Sequence, residues 1–459
     1  LFCIHMADLN PEQQAAFDAV IAGESVFITG PGGTGKSYLL QSLYAKYKGR
    51  TGKTMSITAM TGCAALLLGP WAKTLHSWAG IGIGRLPTAT VANAILADAR
   101  KKKRWRSTHC IVIDEVSMLT PHLLEYLDAV GRLVRKEPNK PLGGLQVVFV
   151  GDFYQLPPVM KDGEAGAGGP SRSFAFQSTL WSEIVSKTIE LTQIVRQKDP
   201  VFQQILNEAR IGELSTASYE ALEARKTMTW KRQEIKPTLL FTKNEDVRSI
   251  NVAQLAKLTG EEHVYSTKTT KHPPRIPMDV LQSITDKLDK DAPYEAELRL
   301  KERAQVMLLV NQDPAAGLVN GSRGVVTSFG ADGYPLVKFL NGPPYPVRVA
   351  PAEWSSDNEK EGDGVTREQI PLRLAYALTI HKAQGASLDS ALVDVGPSTF
   401  EYGQAYVALS RVRNMDALYV FEISQKAFKA HPAVKAFYNS LLGVSEETTD
   451  VEDDALESV

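Results

Sequence analysis

Short apolar runs alternate with helix-period segments through the first 190 residues. SVFITG (25–30) leads into the helical GKSYLLQSLYAKY (35–47), and TMSIT (54–58), CIVIDE (110–115) and LQVVFVGD (145–152) follow. These runs are brief, apolar and rich in β-branched residues, the pattern of parallel strands covered on both faces. Helical stretches such as PHLLEYLDAVGRLVRK (121–136) lie between them, which predicts an open α/β domain over 1–190. KDGEAGAGGP (161–170) reads as a flexible loop inside that domain.

A second α/β pattern starts at TLLFTKNEDVRSINVAQLAKL (238–258) and resumes at LRLAYALTIHKAQG (372–385) and ALYVFE (417–422). The interruption holds GVVTSF, YPLVKFL and YPVRVAP, with Asp332-Gly333 and Asn341-Gly342 as turn signals. Close strands without a long helix between them predict a small antiparallel barrel inserted in the second domain. The expected division is 1–190 for the first domain, 191–323 with 371–444 for the second, 324–370 for the insertion and 445–459 for a tail.

Gly30-Pro31-Gly32-Gly33-Thr34-Gly35-Lys36-Ser37 matches the phosphate-binding loop GxxxxGK[ST] in full, between a strand and a helix. Glycines let backbone N–H groups wrap phosphate at a helix N-terminus, whose dipole favours anions. Gly32, Gly33, Thr34 and Gly35 are the cradle, Lys36 reaches the β- and γ-phosphates, and Ser37 binds Mg²⁺. A chance Gly-rich turn would lack these flanks. IVIDE then places Asp114 at a strand end to hold Mg²⁺ through water, with Glu115 as general base. Without the phosphate loop, Asp114 and Glu115 would read as a structural or solvated pair. VFVGDFYQLPP brings Gln155 to another strand end, where it could sense the γ-phosphate; alone, it reads equally as a polar turn.

Taken together, these motifs resemble the Pif-type (petite-integration-frequency) DNA helicases, in the RecD-like branch of superfamily 1. LNPEQQAAFDAV is similar to that family's adenine-reading motif, with Gln13 as base reader. TAMTGCAA and TLHSWAGIG resemble its first DNA motifs. DEVSMLTPHLLEYLDAV, running on to GGLQVVFVGDFYQLPPV, resembles its distinguishing segment. ELTQIVRQ, VNGSRGVV, ALTIHKAQGASLD and AYVALSRVRN follow in the family's order.

The resemblance implies two RecA-like P-loop motor domains, with ATP and Mg²⁺ between them and single-stranded DNA across their tops. It implies 5′-to-3′ translocation with unwinding at duplex junctions, and extends the substrates to G-quadruplexes and RNA–DNA hybrids. The barrel at 324–370 would be the family's SH3-like accessory insertion, and the stretch around 85–106 its wedge-bearing insertion. Arg196 and Arg411 match the two arginine fingers; by residue type alone they would read as surface or structural arginines. Phosphate-backbone contacts are expected from Thr61, His76, His381 and Lys382. Trp78 and Phe153 are candidate DNA-contacting rings, with core packing the alternative for each. A translocase that displaces protein without unwinding, and a non-motor nucleotide switch, are the competing readings.

Charge adds little. The net charge is −1, but SEETTDVEDDALESV (445–459) holds seven acids and no base, leaving 51 basic against 45 acidic residues elsewhere. A mildly positive body accommodates a local DNA groove without requiring one. The run RKKKRWR (100–106) reads as a solvated helix end, a DNA contact or a nuclear signal. Three scattered cysteines form no CxxC pair, which fits a reducing, intracellular setting: nucleus or mitochondrion in a eukaryote, cytoplasm in a bacterium or virus. No apolar run reaches the ~20 residues a membrane span needs. A monomer is the expected motor unit. LFCIH before Met6 reads as an expression remnant or upstream sequence, so the chain is either a minimal member or a trimmed core.

Overall fold

The computed structural model describes residues 9–442 apart from 49–51, 70, 83–85, 159–172, 230–234, 273–276, 314 and 356–364. The tail 445–459, the loop 161–170 and Arg85 lie outside the described residues.

The first lobe is built on β1 (Val26–Thr29), β2 (Met55–Ala59), β3 (Lys73–Thr74), β4 (Cys110–Asp114), β5 (Gln146–Val150) and β6 (Lys187–Glu190). They pair in the order β3-β2-β4-β5-β1-β6, all parallel. Both faces are covered, which is why the strands read as unbroken apolar runs. Val26, Ile28, Val112 and Val148 enter one core with Leu39, Leu40 and Leu43; Phe27, Ile111, Ile113 and Phe149 enter the other. Helix Pro121–Arg135 covers the second face. Thr120 caps it by accepting from the Leu123 N–H, and Leu124, Leu127, Val130 and Val134 are its buried stripe.

The described part of the expected wedge region is two helices, Thr88–Ala97 and Ala99–Ser107, with Asp98 capping the second. Within the basic run, Trp105 is fully buried; its indole donates to Ala79 O at 2.9 Å and its ring packs 4.7 Å from Trp78. Arg104 and Arg106 donate to backbone carbonyls of Ser77 and Val134. The run therefore serves at least in part as structure of the first lobe.

In the second lobe four parallel strands lie in the order Ala377–Thr379, Thr238–Phe241, Ala391–Val395, Leu418–Ile423. The insertion is larger than the expected 324–370. Its five-stranded antiparallel sheet also takes in Gln305–Leu308 and Leu372–Leu374, and a separate antiparallel pair joins Glu297–Leu300 to His263–Ser266. Leu298, Leu300, Val306 and Leu308 share one core with Val326, Val337 and Phe339. Gln305–Leu308 is buried on both faces, so it lacks the alternation that marks a barrel strand in sequence.

The chain crosses between lobes twice. Helix Pro200–Ile211 enters the second-lobe core through Phe202, Ile205 and Leu206. The last described helix, Pro432–Leu441, returns to the first lobe: Val434 and Tyr438 join its core, and Phe437 stacks on Phe176 at 4.2 Å. Assigning 371–444 wholly to the second domain is thus corrected, because a helix joins whichever surface buries its apolar face.

Trp105→Ala should destabilise the first lobe by about 3–5 kcal/mol, the usual cost of emptying a large aromatic site. Urea unfolding followed by tryptophan fluorescence measures it; a loss below about 1 kcal/mol would mean the helix pair is not part of that core.

Candidate functional site: a nucleotide cleft beside a larger groove

The carboxyl ends of β1, β4 and β5 converge on one edge. After β1 the chain turns at Gly30, whose φ of +132° puts the missing Cβ against the Leu191 carbonyl, so only glycine fits. The loop ends where helix Lys36–Lys48 begins. Lys36 Nζ donates to Gly30 O at 2.6 Å and Pro31 O at 2.8 Å. Burial lowers its pKa to about 8, against the opposing pull of Asp152, Glu115 and Asp114. Thr34 is buried, its hydroxyl donating to Pro31 O. Gln13 lies behind the loop, donating to Thr34 O at 3.1 Å, its rim position fixed by the capping box with Asn10.

A cavity of about 290 Å³ is lined by Gly32, Gly33, Gly35, Lys36, Ser37, Asp114, Glu115, Gln155, Arg196 and Arg411. Ten of the twelve nucleotide-site residues expected from sequence thus meet in one place, while Gln13, behind the loop, and the buried Thr34 lie off the cavity wall. Asp114 is buried, and burial, then the Glu115 charge, raises its carboxyl to about 7. Two neighbouring carboxylates beside a serine hydroxyl suit a hard cation. Among the described residues no group of three His, Cys, Asp or Glu side chains could hold a metal, so the rest of a Mg²⁺ shell would be water and phosphate, as that ion prefers. Glu115 has φ 55° and ψ 47°, left-handed for a residue with a side chain. Such backbone costs of order 1–3 kcal/mol and aims the carboxylate off the strand.

The two arginines come from different segments. Arg196 follows the first sheet, and its backbone N–H donates to Gly33 O at 3.2 Å. Arg411 belongs to the second lobe and is 2% exposed. Its guanidinium donates to Val407 O, Ala383 O, Ala386 O and Ser410 Oγ. Burial and then the Arg196 charge disfavour its cation, a strain that a polyanion in the cavity would relieve.

Glu115 also lines a larger groove of about 1080 Å³ with Thr61, Pro157, Pro158, Lys243, His381, Lys382, Gln384, Phe400 and Tyr402. Thr61 caps helix Gly62–Leu68 there, accepting from the Ala64 N–H. Lys382 is exposed and His381 half-buried; burial lowers the His381 pKa, opposed by Glu401. His76 is half-buried on helix Leu75–Ala79, away from the groove lining.

Two aromatic expectations are corrected. Trp78 is 3% exposed and packs on Trp105; Phe153 is 1% exposed among Phe27, Phe174, Phe176 and Trp181. Neither offers a ring face to a base, because each fills first-lobe core. The groove's own rings are Phe400, 57% exposed, and Tyr402, which the Lys429 ammonium overlies at 5.4 Å. The sequence signal for them was FEYGQ, directly before AYVALSR, passed over because one exposed Phe in a loop has no periodicity.

Gln384 is a second residue missed, although TIHKAQG contains it. Its Nε2 donates to Glu115 Oε2 at 2.9 Å and to Gln155 Oε1 at 3.4 Å, from the opposite lobe. Turning the amide over would set oxygen against two oxygens, so the assigned orientation is required. Tyr406 is a third: its hydroxyl accepts from the P-loop Gly32 N–H at 2.7 Å.

Two parallel-sheet lobes, a phosphate loop on one and Arg411 of the other facing it, define the architecture of a two-lobed P-loop nucleotide-binding protein with a groove along its cleft. Comparison with known proteins narrows the class. A family described as PIF1-like helicase matches residues 8–217, and the DNA helicase Pif1 2B domain matches 285–329. The chain is 39% identical over 435 residues to the human ATP-dependent DNA helicase PIF1, covering 94% of this chain and 64% of that protein. It therefore spans a little under two thirds of that relative's length. The crystal structure of Pif1 helicase from Candida albicans matches with a TM-score of 0.79 at 35% identity, over 95% of this chain and 100% of that one. Pif1 helicase from Bacteroides in complex with ADP-AlF3 and ssDNA matches with a TM-score of 0.68 at 29% identity, over 95% and 98%. The chain belongs to the Pif1-like helicase family.

The Lys36 environment sets a pH dependence. Its pKa is depressed, so the ammonium is lost as pH rises through about 8, and phosphate recognition needs the ammonium. Nucleotide affinity should fall above that point, by up to about tenfold per pH unit, with proton uptake on binding. Calorimetric titration in two buffers of different ionisation enthalpy measures both; flat affinity without proton uptake would exclude Lys36 as the titrating contact.

Proposed function

We propose that this chain is an ATP-dependent DNA helicase that moves 5′ to 3′ along single-stranded DNA and opens duplex at junctions. The observation that carries this is the common wall: Glu115, the proposed base, lines both the nucleotide cavity and the groove. Hydrolysis and strand binding are then neighbours, and each can bias the other. Support also comes from the Bacteroides relative, whose structure holds ADP-AlF3 together with ssDNA.

Lys36 and the Gly32–Gly35 backbone hold the ATP phosphates, Ser37 and Asp114 the Mg²⁺, and Gln13 the base. Mg²⁺ supplies charge neutralisation on the phosphates. Glu115 takes the proton of the attacking water, Gln155 senses the γ-phosphate, and Arg196 and Arg411 stabilise its developing charge. Arg411 must exchange its carbonyl partners to do so, which suits a finger engaged only in the closed cleft. Thr61, His381 and Lys382 contact the strand, and Phe400 takes the stacking role given to Trp78 and Phe153. A single chain is the motor unit. G-quadruplexes and RNA–DNA hybrids are further substrates of this reading, inside a nucleus or mitochondrion for a eukaryotic source and a cytoplasm for a bacterial or viral one. Among the described residues no helix is long and apolar enough to cross a membrane.

Strand displacement on 5′-tailed, 3′-tailed and forked duplexes tests the whole reading. Displacement confined to 5′-tailed and forked substrates is expected. DNA-stimulated hydrolysis without displacement would leave a translocase, and hydrolysis indifferent to DNA would leave a switch. Lys36→Ala should abolish hydrolysis and displacement with the fold intact; near-normal unwinding would remove this site from the mechanism.

Phe400→Ala should weaken single-strand affinity by about 1–3 kcal/mol, the usual worth of one base–aromatic stack. Fluorescence anisotropy with labelled oligo-thymidine checks it, and unchanged affinity would free Phe400 from the strand.

A further inference from the structure

Gln384 occupies a place that neither the phosphate loop nor the strand contacts account for. It ends the turn Ile380–Ala383, two residues after Lys382 and three after His381, and it lines the groove with them. Its side chain nevertheless leaves that group and reaches across to the opposite lobe, where one NH₂ serves both Glu115 and Gln155. Gln384 is 8% exposed, and its Oε1 is buried with no hydrogen-bond partner among the described residues. A buried amide whose donors are engaged and whose acceptor is idle is held by the donor side alone. A neutral buried acceptor left unpaired is destabilising, because it gives up its hydrogen bond to water and gains none in return. That cost is easier to understand if position toward Glu115 is what the side chain serves.

The backbone of this turn is tied together by two hydrogen bonds. Thr379 caps it by accepting the Lys382 N–H, and the Gln384 N–H donates to His381 O at 3.2 Å. His381, Lys382 and Gln384 are thereby joined in one hydrogen-bonded turn. On the other side the base itself is poised on strained backbone, with Glu115 in the left-handed region. A carboxylate on such a turn has its direction set by what it touches.

We propose that Gln384 is the positioning residue through which strand occupancy reaches the chemistry, by aiming Glu115 and Gln155 when His381 and Lys382 are engaged. This rests on the reading of Glu115 as base and of the groove as the strand site. Gln384 does not touch the reacting atoms; it acts through the two residues it bridges. The contact is a donor-to-carboxylate bond, so donor character matters and shape alone is insufficient.

The test compares wild type, Gln384→Ala and Gln384→Glu as full chains. Gln384→Glu keeps the size of the side chain but replaces its NH₂ donor with an acceptor facing Glu115. Steady-state ATP hydrolysis is measured with and without oligo-thymidine, DNA affinity by anisotropy and thermal melting as the folding control. Both variants should lose about tenfold or more of the DNA stimulation of kcat, the scale of a misaligned general base. DNA affinity and the KM for ATP should stay within about threefold, a split that loss of packing would not give. Retained stimulation in either variant overturns the proposal, and retention in Gln384→Glu alone would mean that shape suffices. A loss that tracks weakened DNA affinity or a lowered melting temperature overturns it as well. If Gln384→Glu does not fold, Gln384→Ala carries the same decision. Lys36→Ala is run alongside: if it still hydrolyses ATP, the underlying site assignment fails, whereas its inactivity with normal stimulation in the Gln384 variants fails this proposal alone.

Discussion

The ion pair between Asp152 and Arg210 is the contact on which the two lobes depend. Asp152 follows β5, at the sensing edge of the first sheet; Arg210 rides the helix that enters the second-lobe core. Nε and Nη2 of Arg210 donate to the two carboxylate oxygens at 2.9 and 3.0 Å. Burial opposes the guanidinium's charge, but the carboxylate outweighs it and the Arg210 pKa is raised. Tyr154 and Tyr438 face the guanidinium at 4.8 and 5.3 Å. Removing either partner of such a buried pair typically costs about 3–5 kcal/mol, because it strands the other charge.

Around that pair the phosphate loop is wired to both crossings of the chain. Tyr406, from the second lobe, accepts from the Gly32 N–H and donates weakly to Asp152 at 3.5 Å. Tyr438, from the last described helix, shares a 2.6 Å hydrogen bond with Thr29, the residue before Gly30, and accepts from the Phe153 N–H. The loop, the sensor segment, the linker helix and the C-terminal helix thus meet at one carboxylate. A shift of the loop cannot be confined to the first lobe, since the network of bonds that fixes it belongs partly to the second.

The cleft is held in the same spirit. Arg411 is held by four acceptors of its own lobe, and Gln384 reaches across to Glu115 and Gln155. A finger tied to its own backbone is preorganised and exchangeable at once, because each carbonyl bond is modest in net worth. The half-buried Arg196 guanidinium adds to the cost of the buried Arg411 cation in this cavity, which favours a polyanion between them. The arrangement spends stability on electrostatics aimed at a ligand, which is where proteins commonly depart from their most stable packing.

Much of this was legible in the chain itself. Continuous apolar strands gave the parallel sheets, since burial on both faces removes alternation, and the glycine spacing gave the phosphate loop, since close backbone approach excludes a Cβ. Asp114, Glu115, Gln155, Arg196 and Arg411 could be named because strand ends and family motifs mark them, and the structure gathers them at one cavity. The insertion was placed too narrowly because Gln305–Leu308, buried on both sides, looks like any parallel strand. Trp78 and Phe153 were offered to DNA because an aromatic residue in a motif looks the same whether it faces solvent or core. Only packing separates them from Phe400, since exposure is a property of what lies opposite a side chain. Gln384 and the Asp152–Arg210 pair were invisible for a related reason: each joins residues 58 to 269 positions apart, and no local pattern encodes a partner that distant. Sequence by itself determined the elements and the chemistry each strand end carries; tertiary structure decided which of those ends face one another.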